Sequence, residues 1–515
     1  GTNAIGGVIN IITDDVKNAI NVSSDTRYAS KGRFTQSVNI DVNTGKFGSY
    51  TSYRRQQAEG WQLNPYEENS KTHELEETGK VASTGFYANT VNQKFTFDAT
   101  DKLSFYARGG YYDNKTRRPY EAYDYNILHE TFNYGIGAQY MINKGNYITA
   151  DCYADHFSSS YCFFKDNKTY NGKAGEEQVR KRTRNHNLSI KGIFKLGNRH
   201  KLSVGTEYIV DVLKSQTDNI AKEDAYTLAL FAQDEIKLLR NLQALIGVRY
   251  IYHENFKNHA TPNVALMYKP GKFNFRASYA AGFRTPTLSE LYATDIAKKN
   301  DRLTIGNLDL KPEKNNYFSL SAEYVHERFS VSVNAFYNNI RDMIDYNTIA
   351  TGDKAMEQYG HKEVRQRDNI AEAKVHGINV SANAYLGAGF NLSGGYTHLN
   401  TQDVELEQPI DKSIKNAYNI NAQWAHSWKI YRLNINLNGR FNSKRFSKSY
   451  GYAPEYQLWD LNTRHSFNLK SVIIEPGCGM ENLFDYMDDR PYNSNYATLT
   501  PGRSFYISLS LKFKS

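Results

Sequence analysis

Polar and apolar residues alternate along most of this chain with a period of two. In residues 432–441, RLNINLNGRF, the side chains of Leu433, Ile435, Leu437 and Phe441 fall on one side of a pleated strand. Asn434, Asn436, Asn438 and Arg440 fall on the other. Such a strand fits a soluble sheet with one wet face. It also fits a barrel whose apolar face meets lipid while its asparagines line a watery lumen. Recurrence along the chain decides between them. Alternating runs predict strands over 18–28, 33–43, 46–61, 84–98, 102–117, 127–143, 146–164, 179–196, 200–215, 223–239, 241–256, 258–269 and 272–284. They resume over 314–326, 328–346, 369–387, 389–403, 414–429, 431–446, 455–469, 471–486 and 502–514, which makes twenty-two. Many run thirteen to nineteen residues, against about five or six in globular sheets. The last repeats the pattern, with Phe505, Ile507, Leu509, Leu511 and Phe513 against Ser508, Ser510 and Lys512.

The connections alternate too. Every second one is a tight turn: Thr44-Gly45, 99–102, Lys144-Gly145, 197–200, Pro270-Gly271 and 387–389. Between them lie longer segments, notably 62–83, 165–178, 285–313, 347–368 and 487–501. Short turns at one end and long loops at the other characterise transmembrane β-barrels, and a soluble propeller does not explain them. The expected fold is therefore all-β, a transmembrane antiparallel barrel of twenty-two strands over 18–515. Tyr111-Tyr112 and the pair Tyr50 and Tyr53 are predicted to sit in interfacial aromatic girdles.

Composition agrees with this picture. The 515 residues contain no Pro/Gly/Ser-rich linker and no charge block, with 40 Tyr and 26 Phe against 11 Pro and 3 Cys. Mean hydropathy is −0.66, and no run approaches the roughly 18 apolar residues of a spanning helix. The net charge of +9 is scattered singly without a nucleic-acid-binding motif, so a lumen and loops house it better than a nucleic-acid surface. Cys152 and Cys162 are predicted on one face of one strand, about 33 Å apart, too far to bridge. The paired carboxylates Asp488-Asp489 and Glu67-Glu68 lack EF-hand spacing, and neither GxSxG nor HExxH occurs. No catalytic or metal-ligating residue is expected, and the chain is expected not to be an enzyme.

Residues 1–13, GTNAIGGVINIIT, are apolar on both faces and read as a buried strand. Half-polar alternation begins after Asp14 and Asp15. The chain opens at Gly1 with neither an initiator Met nor a signal peptide, so an N-terminal part is expected to be missing.

Four stretches resemble the TonB-dependent outer-membrane transporter family. Residues 1–13, with Gly6 and Gly7, resemble the end of its plug domain, which makes 1–17 a plug remnant. Residues 282–292 (GFRTPTLSELY: Arg284, Pro286, Glu290, Tyr292) and 306–313 (GNLDLKPE: Asn307, Leu310, Pro312, Glu313) resemble paired boxes flanking a large outer loop in haem and metal-chelate receptors. Residues 369–378 (NIAEAKVHGI) and 481–492 (ENLFDYMDDRPY: Asn482, Leu483, Phe484) resemble late barrel motifs. The resemblance implies import of a scarce iron chelate, haem or a siderophore, across a bacterial outer membrane, powered by TonB through the missing N-terminal part. Cobalamin is the alternative cargo, and a passive porin or an outer-membrane protease or lipase barrel the rival classes. Outer-membrane lipid is an expected partner of a monomeric barrel, and a surface lipoprotein a further one; nucleic acid is not. No intrinsic cofactor is implied beyond the transported chelate.

For binding the solute, tyrosine- and asparagine-rich loop segments offer flat rings and hydrogen-bonding tips. They nominate Tyr120, Tyr123, Tyr125, Tyr492 and Tyr496. The loop between the boxes has no His; Tyr292 is its candidate iron ligand, through a tyrosinate. His361 is nominated among the outer histidines, which also include His73, His253, His259 and His129. Arg284 and Glu290, with Lys311 and Glu313, are expected to pair and fix the loop base.

Overall fold

Lipid and water sort this chain into a cylinder. A computed structural model, described over residues 19–69, 72–297, 301–495 and 500–514, shows twenty-two antiparallel strands in one closed sheet. Closure comes from the first strand, Ile20–Ala29. It pairs with Arg33–Asn43 on one side and with the last strand, Ser504–Lys514, on the other, setting Asn21 opposite Lys514 and Ala29 opposite Tyr506. Neither edge is left unpaired. Both described ends of the chain therefore lie at the tight-turn end of the cylinder. Residues 1–18 and Tyr496, including the expected plug remnant with Gly6 and Gly7, lie outside the described residues.

The two faces follow the predicted alternation. On Tyr431–Asn442 the asparagines point inward, where Asn421 of the neighbouring strand Asn416–Trp428 donates to Asn436 at 2.6 Å and also to Asn438. The lumen is a lattice of such contacts. Arg27 and Arg33 both pair with Glu481 across the closing seam, Arg249 pairs with Glu207, and the Tyr106 hydroxyl donates to Asp151. Outward positions carry the opposite chemistry. Ile507 is 66% exposed and Leu320 65%, among a continuous band of exposed Leu, Ile, Val and Phe. Among the described residues, buried apolar side chains form only small clusters such as Ala229, Ile251 and Phe283. Side chains that would be a core in a soluble protein face lipid here.

Aromatic rings edge the band. Near the tight turns Phe390, Trp424, Trp428, Tyr431 and Phe467 touch in sequence, with centroids 5.1 to 6.2 Å apart. Toward the loops Tyr208, Tyr226 and Tyr252 do the same at 5.9 and 6.0 Å. Of the expected girdle tyrosines, Tyr53 and Tyr111 face outward, but Tyr50 and Tyr112 face the lumen. Register shows why: Tyr50 lies opposite Asp41 and Lys94, and Tyr112 opposite Thr90 and Thr131, all lumenal positions. Neighbours along a strand cannot share a face. Cys152 and Cys162 are free thiols on the strand Asn146–Phe163.

Strand limits match the expectation to within a few residues, with instructive exceptions. Residues 347–368, expected as a loop, continue as structure: Phe329–Thr351 and Glu363–Gly387 run on as a hairpin, joined through helix α1 (Gly352–Tyr359). Register shifts between Ile340 and Met343 and between Thr348 and Ala350 break the period of two that marks a strand. The segment 285–313, also expected as a loop, holds a short helix, Leu288–Tyr292, and a hairpin, Thr294–Ala297 with Arg302–Ile305. Arg302–Ile305 adds to Glu363–Gly387 in parallel, burying Ala350, Ala355 and Val364 beneath Leu303 and Ile305. At the loop end three connections are short, 30–32, 216–219 and 254–256.

A cation at a mid-band outward position should be costly, while the lumen tolerates it. Leu320→Arg is expected to destabilise refolding into lipid vesicles by about 2–4 kcal/mol, and Asn334→Arg by much less, read from denaturant titration of tryptophan fluorescence. Equal losses at both sites would contradict this assignment of faces.

Candidate functional site at the loop end

The sheet delivers rigid strand ends to the loop end of the cylinder, and the loops above them knit into two groups. The first group is built from the resemblance motifs. Arg284, at the end of Phe273–Arg284, is gripped from two sides: Glu313 accepts at 2.6 and 2.8 Å, and Glu290 at 2.9 and 3.1 Å. A planar guanidinium satisfies two carboxylates in this way and an ammonium cannot. Glu290 also closes a capping box at the helix Leu288–Tyr292, accepting from the Thr287 backbone amide at 2.7 Å. Glu313 accepts from the Ile344 amide at 2.9 Å. Gly306 packs so tightly under that helix that a Cβ would sit 2.5 Å from the Leu291 carbonyl oxygen. Leu310, Pro286 and Pro312 are buried around it. Lys311 joins through its backbone, exchanging hydrogen bonds with the Asn369 side chain at 2.7 and 2.9 Å. Asn307 reaches the Arg367 carbonyl at 3.0 Å.

The paired boxes and the 369–378 stretch thus meet at one joint. The 481–492 stretch is separate. Asn482, with φ 53° and 3% exposed, ends the strand Val472–Glu481 and accepts from the Tyr486 amide at 2.9 Å. The Leu483 amide donates to the Trp459 carbonyl at 2.7 Å, and Phe484 stays exposed beside the Trp459 ring. Asn482 is why this strand stops short of its expected limit at residue 486.

The second loop group gathers most of the nominated aromatic residues. Tyr125 stacks on Tyr161 at 4.1 Å and meets Phe163 at 5.6 Å and Tyr170 at 5.8 Å. Two guanidiniums flank this cluster, Arg118 over Tyr125 at 5.1 Å and over Tyr123 at 4.6 Å, and Arg180 over Tyr161 at 5.3 Å and Tyr170 at 5.0 Å. Tyr120 lies beside it, stacked on Phe164 with the Lys165 ammonium 3.8 Å above its ring. Tyr492 is tied to the loop 59–84, its amide donating to the Tyr66 carbonyl at 2.7 Å and its ring beneath Lys80 at 5.6 Å. Burial raises the phenols of Tyr170 and Tyr492 above the usual tyrosine value, helped by Tyr125 and Tyr123 respectively. Both stay protonated at neutral pH and can donate hydrogen bonds. Arg118, Arg180, Tyr161 and Tyr170 were missed in the sequence, because strand ends and loop ring meet only in the fold.

The remaining nominees sit apart. Tyr292 packs against Leu291, Leu310 and Ile344. Burial pushes its phenol up, with Glu223 and Glu254 adding to the shift. His361 is held by Asp301 at 2.9 Å, His73 by Glu68 at 2.7 Å, and His259 by the Phe256 carbonyl at 2.9 Å. His253 accepts from the Asn255 amide at 3.1 Å, and half-buried His129 stacks on Phe157.

Residues 31–475 match the family described as TonB dependent receptor-like, beta-barrel. The chain belongs to this family. Among solved structures it is similar to a mutant form of the ferric enterobactin receptor PfeA of Pseudomonas aeruginosa, at TM-score 0.84 and 17% identity, covering 100% of this chain and 83% of that one. The siderophore receptor PirA of Acinetobacter baumannii aligns at TM-score 0.78 and 16% identity, covering 98% and 82%. The copper transporter OprC gives TM-score 0.74 at 11% identity, covering 96% and 81%. At these identities the likeness is one of fold.

The joint at Arg284 should respond to acid and to mutation alike. Burial alone would raise the Glu290 carboxyl; the Arg284 guanidinium and the Thr287 amide outweigh it and hold it below the usual carboxylate range. Its stabilisation is therefore full above the unfolded value near 4.5 and is lost as pH falls through the lower folded value. Glu290→Gln should weaken the joint by about 2–3 kcal/mol. Limited proteolysis within 285–313 should accelerate at neutral pH in the variant while the barrel stays closed by its heat-modified gel mobility; an unchanged rate would contradict the assignment.

Proposed function

We propose that the protein is a bacterial outer-membrane importer, coupled to TonB, whose cargo is an anionic iron chelate of the siderophore kind. The observation that carries this reading is the Tyr125, Tyr161, Tyr170 and Phe163 cluster between Arg118 and Arg180. Flat rings give a bulky aromatic chelate its contact area, and guanidiniums and protonated phenols meet its negative oxygens. The enterobactin and siderophore receptors among its structural neighbours support the same direction. Cobalamin is a weaker match to paired guanidiniums. Haem also fits less well. His73, His253, His259 and His361 already have hydrogen-bond partners, and raising the Tyr292 phenol makes a tyrosinate ligand dearer.

In this reading residues 1–17 close a plug domain, TonB contacts lie N-terminal to the barrel, and the barrel works as a monomer, with a surface lipoprotein as its accessory. No chemistry on the cargo is required, so the protein is proposed to be a transporter without catalytic residues.

The test is a binding titration of the receptor with an iron-loaded tricatecholate, with haem and with cobalamin, followed by tryptophan fluorescence. The chelate should bind tightest, and Arg118→Gln should weaken it about tenfold, the scale of one charge-assisted contact. Tighter binding of haem or cobalamin, or an unaffected Arg118 variant, would overturn the assignment.

A further inference from the structure

We propose that the outward face of the strands Glu177–Leu196 and His200–Ser215, near their loop end, binds the phosphate of an anionic lipid in the surrounding leaflet. The inference rests on the membrane-embedded reading of the barrel.

Along Glu177–Leu196 the exposed outward positions run Arg182, Arg184, His186, Leu188 and Ile190. From the loop end toward the turn end, two cations and an imidazole give way to lipid-facing aliphatics. Arg182 lies directly opposite Lys214, and Arg184 opposite Val212. Like charges placed across a ladder repel. Ordinarily a carboxylate would relieve them. Among the described residues the side chains of Arg182 and Lys214 make no ion pair and no hydrogen bond, although their backbones pair in the ladder. The nearby carboxylates are engaged elsewhere: Glu130 accepts from Tyr111 at 2.9 Å and Ser158 at 3.4 Å, and Asp224 pairs with Lys222 at 3.2 Å.

The backbone is shaped around the same spot. One register shift falls between Val179 and Lys181, where Arg180 is the extra residue of a bulge, and another between Leu213 and Ser215, where Lys214 stands opposite the two residues Ala221 and Lys222 of a bulge on the neighbouring strand Ile220–Leu239. Bulges re-aim side chains. Here they open a cleft of about 680 Å³ lined by Arg180, Lys181, Arg182, Lys214 and Tyr170. Arg180 donates to Gln216 at 2.9 Å and turns to the Tyr161 and Tyr170 rings of the cargo cluster, and Lys181 pairs with Asp218 at 3.4 Å. Arg182 and Lys214 are left to hold an anion from outside the chain.

Position on the barrel selects the anion. The cleft sits at the loop-end border of the apolar band, beside the Tyr208, Tyr226 and Tyr252 girdle. A dissolved solute entering the lumen would never reach Arg184, Leu188 or Ile190. A lipid would occupy the whole track, its phosphate against Arg182, Lys214 and Arg184 and its acyl chains along Leu188, Ile190, Val210 and Val212.

Native mass spectrometry of the intact receptor, released from nanodiscs containing bisphosphorylated lipid A, its dephosphorylated form or phosphatidylglycerol, tests this. The wild type should retain the phosphorylated lipids, with the combined variant Arg182→Gln, Arg184→Gln and Lys214→Gln lowering retention roughly ten- to a hundredfold. Phosphatidylglycerol alone retained would assign the site to a glycerophospholipid, and lipid A alone to the glycolipid; either supports the proposal. Retention of dephosphorylated lipid as strong as of phosphorylated, or no loss in the variant, would overturn it. A variant that keeps its lipid but loses chelate binding would overturn it too, by handing the cleft to the solute. Insertion of both proteins into the nanodiscs, checked by gel mobility, separates failure of this site from failure of the membrane reading.

Discussion

Backbone hydrogen bonding in a medium without water governs this structure. A sheet in lipid cannot leave an edge, because each unpaired amide or carbonyl there costs several kcal/mol. The pairing of Ile20–Ala29 with Ser504–Lys514 removes the edge. An even strand number and a shared end for both termini of the cylinder follow from that one seam. Arg27, Arg33 and Glu481 bind across it on the wet side, with the Arg27 guanidinium 3.8 Å above the Tyr506 ring. Closure also fixes side-chain direction. Once Ser508 faces in, Ile507 and Leu509 have only lipid to face.

A cylinder held by its own ladders frees its loops for recognition. The Arg284 joint shows how those loops are kept in shape. One guanidinium, two carboxylates and a helix cap tie the segment 285–312 to the strand ends, and the hairpin above it lies on the longest pair of strands. In the other loop group the rings of Tyr125, Tyr161 and Tyr170 are fixed by one another and by Arg118 and Arg180. Recognition groups thus stand on a frame that need not move to present them. The same frame offers its outer wall to lipid, where the unpaired Arg182 and Lys214 lie opposite each other.

What could be read from the chain was what a period of two records. Strand count, the tight turns and the lipid-facing residues of strands such as Tyr431–Asn442 were legible because one face must be apolar throughout. The pairing of Arg284 with Glu290 and Glu313 was legible from the two boxes. The hairpin beyond residue 346 was not. It stands in water, its buried side belongs to Ala350, Ala355 and Val364, and its bulges shift the alternation. Tyr50 and Tyr112 were misplaced because clustering in sequence says nothing of face. The aromatic and guanidinium cluster was half legible: Tyr120, Tyr123 and Tyr125 stand in one segment, but Tyr161, Tyr170, Arg118 and Arg180 reach them only through strand register and loop packing.

Lipid outside and water inside set the direction of every side chain in the wall, and site-directed spin labelling along the last strand tests that most directly. Single cysteines introduced one at a time from Phe505→Cys to Lys512→Cys, in a background with Cys152, Cys162 and Cys478 replaced by Ser, would be reconstituted in bilayers. Their collision rates with oxygen and with a water-soluble nickel chelate would then be compared. Oxygen should dominate at residues 505, 507, 509 and 511, and nickel at 506, 508, 510 and 512. Uniform accessibility, or the opposite phase, would contradict the account.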